Sequence, residues 1–280
     1  MNFDGETAYK TAIDFARSHY ENFPVVSFLI RSDLRKHVAI IYWFARTADD
    51  FADEGDMTVE LRLEKLNQFE KNFNALKNGT CGSAYENALY LTIKEKNLNT
   101  QHFINLIQAF KQDVIKKRYE NYNELLGYCM NSANPVGRLI LELHDIRNEE
   151  AALYSDKICT ALQITNFLQD FEPDYRKGRI YLPGDEMQHY GVSDFMFEER
   201  KINANFKQLI EFNVRRNHSL FEEGKNLIKF LKGRLKYEIK WTISGGELVM
   251  KKIRENDYNV FTRPSLNKID FLRLLIKAFI

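Results

Sequence analysis

Two pairs of aspartates stand at helical spacing in distant parts of the sequence. Asp49 and Asp53 form the first acid pair, and Asp170 and Asp174 form the second. Residues four apart lie one turn apart on one helix face, so each pair brings two carboxylates together. Among apolar neighbours these carboxylates repel each other and lose hydration unless a cation lies between them. The pattern indicates Mg²⁺, which binds carboxylate oxygens and keeps positions open for phosphate. Two such helices facing one cavity would bind a diphosphate ester.

Further polar residues extend both acid pairs along their helices. Arg46 lies three residues before Asp49, where its guanidinium would meet a phosphate oxygen in bidentate fashion. Asn166 lies one turn before Asp170, and Gln163 lies one turn before Asn166. Either acid pair alone is more often a solvated helix face. A polar stripe repeated on two apolar helices favours a metal–diphosphate site.

A basic segment follows the second acid pair. Gly178 permits a turn that would direct Arg179 and Tyr181 back into the cavity. Arg176 and Lys177 would either close over phosphate as a flap or belong to an ordinary basic surface loop, and the surface interpretation is favoured for Lys177.

Aromatic residues are abundant, with 21 Phe and 14 Tyr. Phe23, Tyr42, Phe44 and Tyr128 are candidates to line an apolar tunnel, where ring faces would stabilise a carbocation. For any one of these rings, packing in the core is the simpler explanation.

The elements that must position these residues are helices. Apolar residues recur at three- and four-residue steps almost throughout, and strand alternation does not persist. Ser32 is the expected N-cap of the helix that ends with the first acid pair, and Pro135 is expected to kink or split its own helix. Helices are expected over 6–20, 32–54, 58–77, 83–97, 100–118, 121–143, 147–172, 195–230, 233–255 and 266–279. The fold class is all-α, with one domain over 1–280 and a central active-site cavity.

Composition excludes several classes of protein. The formal net charge of +1 gives no global field to attract nucleic acid, so no nucleic-acid partner is expected. The three cysteines are far apart and lack CxxC spacing, which favours free thiols over a disulfide scaffold or a zinc site. The N-terminus lacks the pattern of a signal peptide, and no apolar run approaches the roughly 18 residues that span a bilayer. The expected localisation is cytoplasmic.

Five segments in order resemble the squalene/phytoene synthase family, the head-to-head prenyl synthases with an all-α isoprenoid synthase fold. The segments are Asn22-Phe-Pro24, Phe44-Ala-Arg-Thr-Ala-Asp-Asp-Phe-Ala-Asp-Glu54, Tyr128-Cys-Met-Asn-Ser-Ala-Asn-Pro-Val-Gly137, Gln163-Ile-Thr-Asn-Phe-Leu-Gln-Asp170 and Gly178-Arg-Ile-Tyr-Leu-Pro183. The resemblance is strong from about Asn22 to Pro183 and weaker towards the C-terminus.

Within that family the sequence looks like the bacterial hydroxysqualene-forming branch of the hopanoid route. Gln169 stands where phytoene and dehydrosqualene synthases usually carry Arg, and Pro173 stands where they often carry an acid. In this branch presqualene diphosphate is the substrate and water ends the reaction, so Mg²⁺ is implied as cofactor and NADPH is not expected. Pro173 is expected to bend the helix that carries the second acid pair.

The resemblance implies a role for each candidate residue. Mg²⁺ would be bound by the two acid pairs, Asp49 and Asp53 with Asp170 and Asp174. The diphosphate would be contacted by Arg46, Asn166 and Arg179. The reacting centre would be lined by the catalytic residues Tyr128, Gln163 and Tyr181.

Two alternatives remain open at the level of sequence. In the first alternative, the chain condenses two farnesyl or geranylgeranyl diphosphates to squalene, presqualene diphosphate, phytoene or dehydrosqualene. Formation of squalene would require NADPH. Alternatively, it would be a non-catalytic assembly or scaffold protein of the same fold, although retention of both acid pairs argues for an enzyme. The amphipathic segment 266–280 would either lie on a membrane surface as a peripheral contact or pack on the helical bundle.

Overall fold

The computed structural model describes residues 4–18, 30–267, 269–270 and 272–274. The expected break at Asn22-Phe-Pro24, the candidate Phe23 and much of the expected helix over 266–279 lie outside these residues. Ile269 and Asp270 are helical, as are residues 272–274.

The all-α fold class is confirmed. Throughout the described part of the chain the regular elements are helices, and one isolated parallel bridge joins Arg118 to Ile180. The helices are α1 (Gly5–Ser18), α2 (Arg35–Asp53), α3 (Val59–Lys77), α4 (Ala84–Lys96), α5 (Thr100–Ile115), α6 (Tyr122–Ser132), α7 (Asn134–Leu143), α8 (Glu149–Gln169), α9 (Phe171–Arg176), α10 (Gly184–His189), α11 (Asp194–Glu198), α12 (Ala204–Gly224) and α13 (Gly233–Glu255), with a 3₁₀ helix over Lys225–Phe230.

Polar side chains at helix starts explain several boundaries. The side chains of Thr58, Ser83, Asn121 and Asn203 each accept a hydrogen bond from a backbone N–H in the first turn of α3, α4, α6 and α12. The expected N-cap at Ser32 is wrong, because α2 begins after Leu34, which makes no side-chain capping bond.

The structure confirms one further expectation about helix limits and corrects two. The segment 121–143 splits into α6 and α7 just before Pro135, as expected. The segment 195–230 is not one helix, because Arg200 has a left-handed backbone and Asn203 starts a new helix. The helix over 147–172 ends early, at Gln169.

The chain folds into two compact units. Unit 1 comprises residues 1–115 and 135–148, and α2 packs there against α1, α3, α4 and α5. Phe44 of α2 lies within 5.2 Å of the ring centroids of Phe69, Phe73 and Phe103. This aromatic cluster buries one side of α2, and the polar stripe follows another side of the same helix.

Unit 2 comprises residues 116–134 and 149–280, and α8 packs there against α6, α12 and α13. Gly246 lies in the middle of α13, which runs unbroken past it. A Cβ at Gly246 would lie 2.6 Å from Phe221 Cζ and 2.9 Å from Leu162 Cδ2. The glycine therefore allows α13 to approach its neighbours closely.

In the described ranges, none of the helices combines the length and apolar character that crossing a bilayer requires. The single-domain interpretation stays a prediction.

Candidate active site

The first acid pair lies in the last two turns of α2. Ala48 and Ala52 alternate with the acids and are buried, and both aspartates are half-buried. The small alanines let this part of α2 pack closely, so the carboxylates lie at the border of the core. Burial of this kind makes a nearby cation favourable.

Arg46 supplies that cation within the same helix. Its Nη1 lies 3.1 Å from Asp49 Oδ2 and its Nε lies 2.8 Å from Asp50 Oδ1. Its Nη2 lies 3.5 Å from Glu54 Oε1. Three carboxylates around one guanidinium leave this end of α2 negative, which suits a divalent cation. Asp50 and Glu54 belong to this group, although the acid pair predicted from sequence contains only Asp49 and Asp53.

The end of α2 is fixed by an arginine from the next helix. Arg62 of α3 donates to the carbonyl oxygens of Phe51, Glu54 and Gly55 over 2.7–3.3 Å. These carbonyls are left without helical partners at a helix C-terminus, where a cation is also favourable. Arg62 therefore holds the turn that carries Asp53.

The start of α2 is fixed by a buried hydrogen-bond network. His37 is fully buried, its Nδ1 lies 2.9 Å from Thr92 Oγ1, and its Nε2 lies 3.2 Å from Glu95 Oε1. Tyr9 Oη lies 2.8 Å from the same Thr92 oxygen and donates to the Ala88 carbonyl. Burial lowers the pKa of His37 to about 4, so its ring is neutral at pH 7. The network ties α2 to α1 and α4.

The second acid pair lies at the joint between two helices in unit 2. Asp170 separates α8 from α9, and Asp174 lies in the first turns of α9. The Asp174 N–H donates to the Asp170 carbonyl at 2.9 Å, and the Asp170 N–H donates to the Asn166 carbonyl at 2.7 Å. The expected one-turn spacing therefore survives the break in the helix.

The break has a physical cause in Pro173. This residue has no N–H to donate to the Gln169 carbonyl, and its ring would clash with that carbonyl in a continuous helix. The chain instead restarts at Phe171, which places Pro173 in the first turn of α9, where a proline is tolerated. The distortion expected from Pro173 is therefore present, but as a break at Asp170 between two helices and not as a bend within one.

Gly178 ends α9 with a left-handed residue. Its φ is +75°, its N–H donates to the Tyr175 carbonyl at 2.8 Å, and the Arg179 N–H donates to the Asp174 carbonyl at 2.9 Å. These two bonds form a Schellman motif. The motif ties the backbone of Arg179 to the backbone of Asp174, and the Arg179 side chain is buried. The turn expected at Gly178 is confirmed.

The loop after Gly178 is paired with the segment before α6. The Ile180 N–H donates to the Lys117 carbonyl at 3.0 Å, and the Gly184 N–H donates to the Tyr119 carbonyl at 2.9 Å. These bonds hold Tyr181 beside Tyr119, with ring centroids 5.7 Å apart.

Tyr181 is the centre of an aromatic group that includes Tyr128. The Phe167 ring lies parallel to Tyr181 at 3.7 Å, and the Tyr128 ring lies 6.1 Å from Tyr181 and 6.0 Å from Phe167. The stacked Phe167 covers one face of Tyr181, so that face is closed to a ligand. The structure thus brings together two of the three residues expected at the reacting centre.

Gln163 and Asn166 are half-buried on α8, in the same helix as Phe167. The neighbouring Thr165 lies on the side of α8 that contacts α12. Its Oγ1 lies 3.0 Å from Asn217 Nδ2, and Asn217 also donates to the Ala161 carbonyl at 3.0 Å. This contact fixes the rotation of α8, and with it the direction of the polar stripe.

Two contacts of the second acid pair come from far along the sequence. Arg263 Nε lies 2.5 Å from Asp170 Oδ1, and Arg263 Nη2 lies 3.4 Å from Asp170 Oδ2. Gln169 Nε2 donates to the Pro264 carbonyl at 2.6 Å. The sequence motifs do not predict a role for Arg263. Arg263 lies 93 positions from Asp170, so no local spacing singles it out.

One other group in the described residues has the composition of a metal site. His218, Glu222 and Glu247 offer ligand atoms within 4.8 Å of one another. Lys225 Nζ lies 2.5 Å from Glu222 Oε1 and 2.7 Å from Glu247 Oε1, so an ammonium already neutralises both carboxylates. The acid pairs are the better candidates for metal.

Comparison with known sequences identifies relatives over most of the chain. A family model described as squalene/phytoene synthase matches residues 16–270. The hydroxysqualene synthase of Sinorhizobium fredii is 31% identical over 241 residues, which cover 85% of this chain and 80% of that protein. The hydroxysqualene synthase of Zymomonas mobilis is 35% identical over 209 residues, which cover 73% and 68% of the two chains.

Solved structures show the same likeness. The squalene synthase HpnC of Alicyclobacillus acidocaldarius superposes with a TM-score of 0.86 at 34% identity, covering 91% of this chain and 96% of that one. A dehydrosqualene synthase solved with a ligand superposes with a TM-score of 0.88 over 98% of this chain and 96% of that one. At 21% identity, the second likeness shows a shared fold only.

Proposed function

Because the chain belongs to the squalene/phytoene synthase family, whose members are prenyltransferase-type isoprenoid enzymes, we propose that it is a hydroxysqualene synthase. The proposed reaction converts presqualene diphosphate and water to hydroxysqualene and diphosphate. The observation that carries the proposal is the retention of both acid pairs, each with an aspartate in an ion pair with arginine. The choice of branch rests on the relatives that bear this name.

Mg²⁺ is the proposed cofactor of both acid pairs. Asp49, Asp53, Asp170 and Asp174 offer only hard oxygen ligands, which is the donor set that Mg²⁺ prefers. The ion pairs with Arg46 and Arg263 are consistent with carboxylates that require a cation. When bound, the metal would neutralise negative charge on the leaving diphosphate.

Three other residues are proposed to hold the diphosphate. Arg46 presents a guanidinium held by acids of its own helix, and Asn166 presents an amide on the stripe that leads to Asp170. Arg179 is the strongest of the three, because its side chain is buried and an anion interacts more strongly with a guanidinium that is shielded from water. Its charge would stabilise the diphosphate as the C–O bond breaks.

Tyr128, Gln163 and Tyr181 are proposed to line the reacting centre. The Phe167 ring covers one face of Tyr181, so Tyr181 would contribute its hydroxyl and ring edge more than an open π face. Packing of these rings would also exclude bulk water, which limits premature capture of a carbocation. A water held by polar groups such as the Gln163 amide would then end the reaction.

Squalene synthase is the second candidate function. The supporting observation is the name of the solved neighbour at 34% identity, a squalene synthase. A squalene product requires a hydride donor such as NADPH, whereas hydroxysqualene requires only water.

Product identification separates these functions. Purified protein with Mg²⁺ is given presqualene, farnesyl or geranylgeranyl diphosphate, each with and without NADPH, and products are identified by mass spectrometry. We expect hydroxysqualene from presqualene diphosphate without NADPH. Squalene formed only with NADPH would reassign the branch, and phytoene or dehydrosqualene would reassign the substrate. No product from any prenyl diphosphate would support the scaffold alternative.

A cytoplasmic location with peripheral contact on the inner face of the membrane is the proposed localisation. Ile269 and Leu272 are largely exposed in the described part of the C-terminal segment, whereas Leu274 is buried. Flotation with anionic vesicles tests this contact. Equal flotation of the full chain and of Ile269→Ser/Leu272→Ser protein would rule out a contribution from this face.

A further inference from the structure

A short segment near the C-terminus is packed across the joint between α8 and α9. This C-terminal strap is residues 259–267. The ring of Phe261 lies 5.5 Å from that of Phe206 and 5.3 Å from that of Phe171, and Val260 is fully buried. Phe171 is the first residue of α9, so the strap is anchored directly beside Asp170.

The C-terminal strap is also fixed at its two ends. Asn256 Nδ2 donates to the Asn259 carbonyl at 3.0 Å and lies 2.7 Å from Thr262 Oγ1. Lys252 Nζ donates to the Ser265 carbonyl at 2.9 Å. Both Asn256 and Lys252 belong to the end of α13 or follow it directly, so α13 sets the path of the strap.

This path aligns two consecutive strap residues with two consecutive residues of the joint. Arg263 forms the ion pair with Asp170, and the Pro264 carbonyl accepts the hydrogen bond from Gln169. The two interactions differ in accessibility. Gln169 is 3% exposed, whereas the Arg263 and Asp170 side chains are 55% and 29% exposed. The hydrogen bond from Gln169 to the Pro264 carbonyl is shielded from water, whereas the ion pair is accessible to it. We therefore expect the ion pair to open while this hydrogen bond keeps the strap in place.

We propose that Gln169 is a positioning residue that holds Arg263 on Asp170, and that Arg263 occupies this carboxylate until a metal ion replaces it. This inference rests on the proposed function, because it takes Asp170 as a metal ligand. Guanidinium and metal compete for the same two oxygens. Gln169 acts on metal binding only through the strap, since its amide donates to the Pro264 carbonyl.

Competition between Arg263 and a metal ion for Asp170 predicts the direction in which each substitution changes the metal affinity. Removing Arg263 frees the carboxylate and makes metal binding tighter. Loosening the C-terminal strap at Gln169 does the same to a smaller degree, because Arg263 stays in the chain but is held less well. If Gln169 acts only through Arg263, its substitution has no effect once Arg263 is gone.

The test is titration of the full chain with Mn²⁺, a paramagnetic stand-in for Mg²⁺, with free Mn²⁺ measured by electron paramagnetic resonance in the absence of substrate. We expect Arg263→Gln to lower the Mn²⁺ dissociation constant about tenfold, which corresponds to about 1.4 kcal/mol. Gln169→Met, similar in size but without the donor, is expected to lower it about threefold. The double variant is expected to match Arg263→Gln alone.

Arg176→Gln is the matched control for charge. Arg176 lies on α9 and pairs with Glu172 at 2.8 Å, so its loss removes one positive charge near the second acid pair without opening Asp170. We expect a change of less than about twofold in Mn²⁺ affinity, because the lost charge is largely exposed and screened. Hydrogen exchange at Val260 and Phe261 verifies that the strap stays folded in Gln169→Met.

Each outcome decides the proposal. Unchanged Mn²⁺ affinity in Gln169→Met with a folded strap would overturn the role of Gln169. Weaker binding in Arg263→Gln, or an effect equal to that of Arg176→Gln, would overturn the competition. If wild-type protein turns over substrate normally in either case, the proposed function still stands. Absence of both Mn²⁺ binding and product in wild-type protein would overturn the function and this inference together.

Discussion

Replacement of Gly178 by alanine tests how the end of α9 is built. Gly178 has a φ of +75°, and a Cβ built on it would meet no atom within 4 Å. Space is therefore available, and the cost is conformational. Placing an L-residue in the left-handed region costs about 1–2 kcal/mol, and asparagine tolerates that region better. We expect Gly178→Ala to lower the free energy of unfolding by about 1 kcal/mol and Gly178→Asn to lower it less.

Gly127 provides the matched control. It lies in the interior of α6, and a Cβ on it also meets no atom within 4 Å, but its backbone is not left-handed. Alanine is a better helix former than glycine by roughly 0.5–1 kcal/mol. Gly127→Ala should therefore stabilise the protein, so the same chemical change has opposite signs at the two positions.

The substitution at Gly178 should also affect the candidate site. The Schellman motif fixes the Arg179 N–H on the Asp174 carbonyl, so strain at Gly178 displaces Arg179 relative to the second acid pair. Urea unfolding measures the stability, and KM for presqualene diphosphate measures the binding. We expect KM to rise in Gly178→Ala and to stay unchanged in Gly127→Ala. Equal stability changes at the two glycines, or asparagine worse than alanine at Gly178, would refute the reasoning.

Three further predictions concern packing and titration. Gly246→Ala gains about 1 kcal/mol in helix propensity but brings a Cβ to 2.6 Å from Phe221, an overpacking that costs about 1–3 kcal/mol, so we expect a lower urea midpoint. His37 has a pKa of about 4 in the folded protein against 6.5 when unfolded, so the unfolded state binds the extra proton between these values. Stability should therefore fall as pH drops from about 6.5 to 4, by about 3 kcal/mol from this group. The free energy of unfolding, measured by urea titration at pH 7 and at pH 5, should fall less between these pH values in His37→Gln than in the wild type. An identical fall in the two proteins would contradict the low pKa of His37. Burial raises the pKa of Cys129 to about 12, so its thiol should react with Ellman's reagent only after unfolding, while either half-buried cysteine reacts earlier.

The local parts of the site could be predicted from sequence because their causes are local. The spacing of Asp49 and Asp53 requires only a helix, and the residues around them predict that helix. The turn at Gly178 requires only a residue that accepts a positive φ. The split before Pro135 follows because proline has no N–H to donate to the carbonyl four residues back, and its ring would clash with that carbonyl in a continuous helix.

Other features depend on contacts that no local pattern contains. Pro173 predicts a break, but whether the helix bends at Asp170 or ends there depends on the packing of Phe171 against Phe197 and Phe206. The break within 195–230 follows from the capping of α12 by Asn203, a signal present in the sequence but outweighed by the apolar periodicity around it. The ion pair of Arg263 joins residues 93 positions apart, and only the path of the C-terminal strap decides it.

The two acid pairs solve one electrostatic problem in different ways. Half-buried carboxylates one turn apart are unfavourable without a cation, and each pair has an arginine on one of its aspartates. For the first pair the arginine comes from the same helix, so the ion pair forms whenever α2 forms. For the second pair it comes from the C-terminal strap, so the ion pair forms only when the strap is in place. A counter-ion fixed to the helix stays near its acid when a ligand binds, whereas one carried by a strap can leave. Replacement of arginine by a metal ion should therefore reduce the stability of the fold less at the second acid pair than at the first.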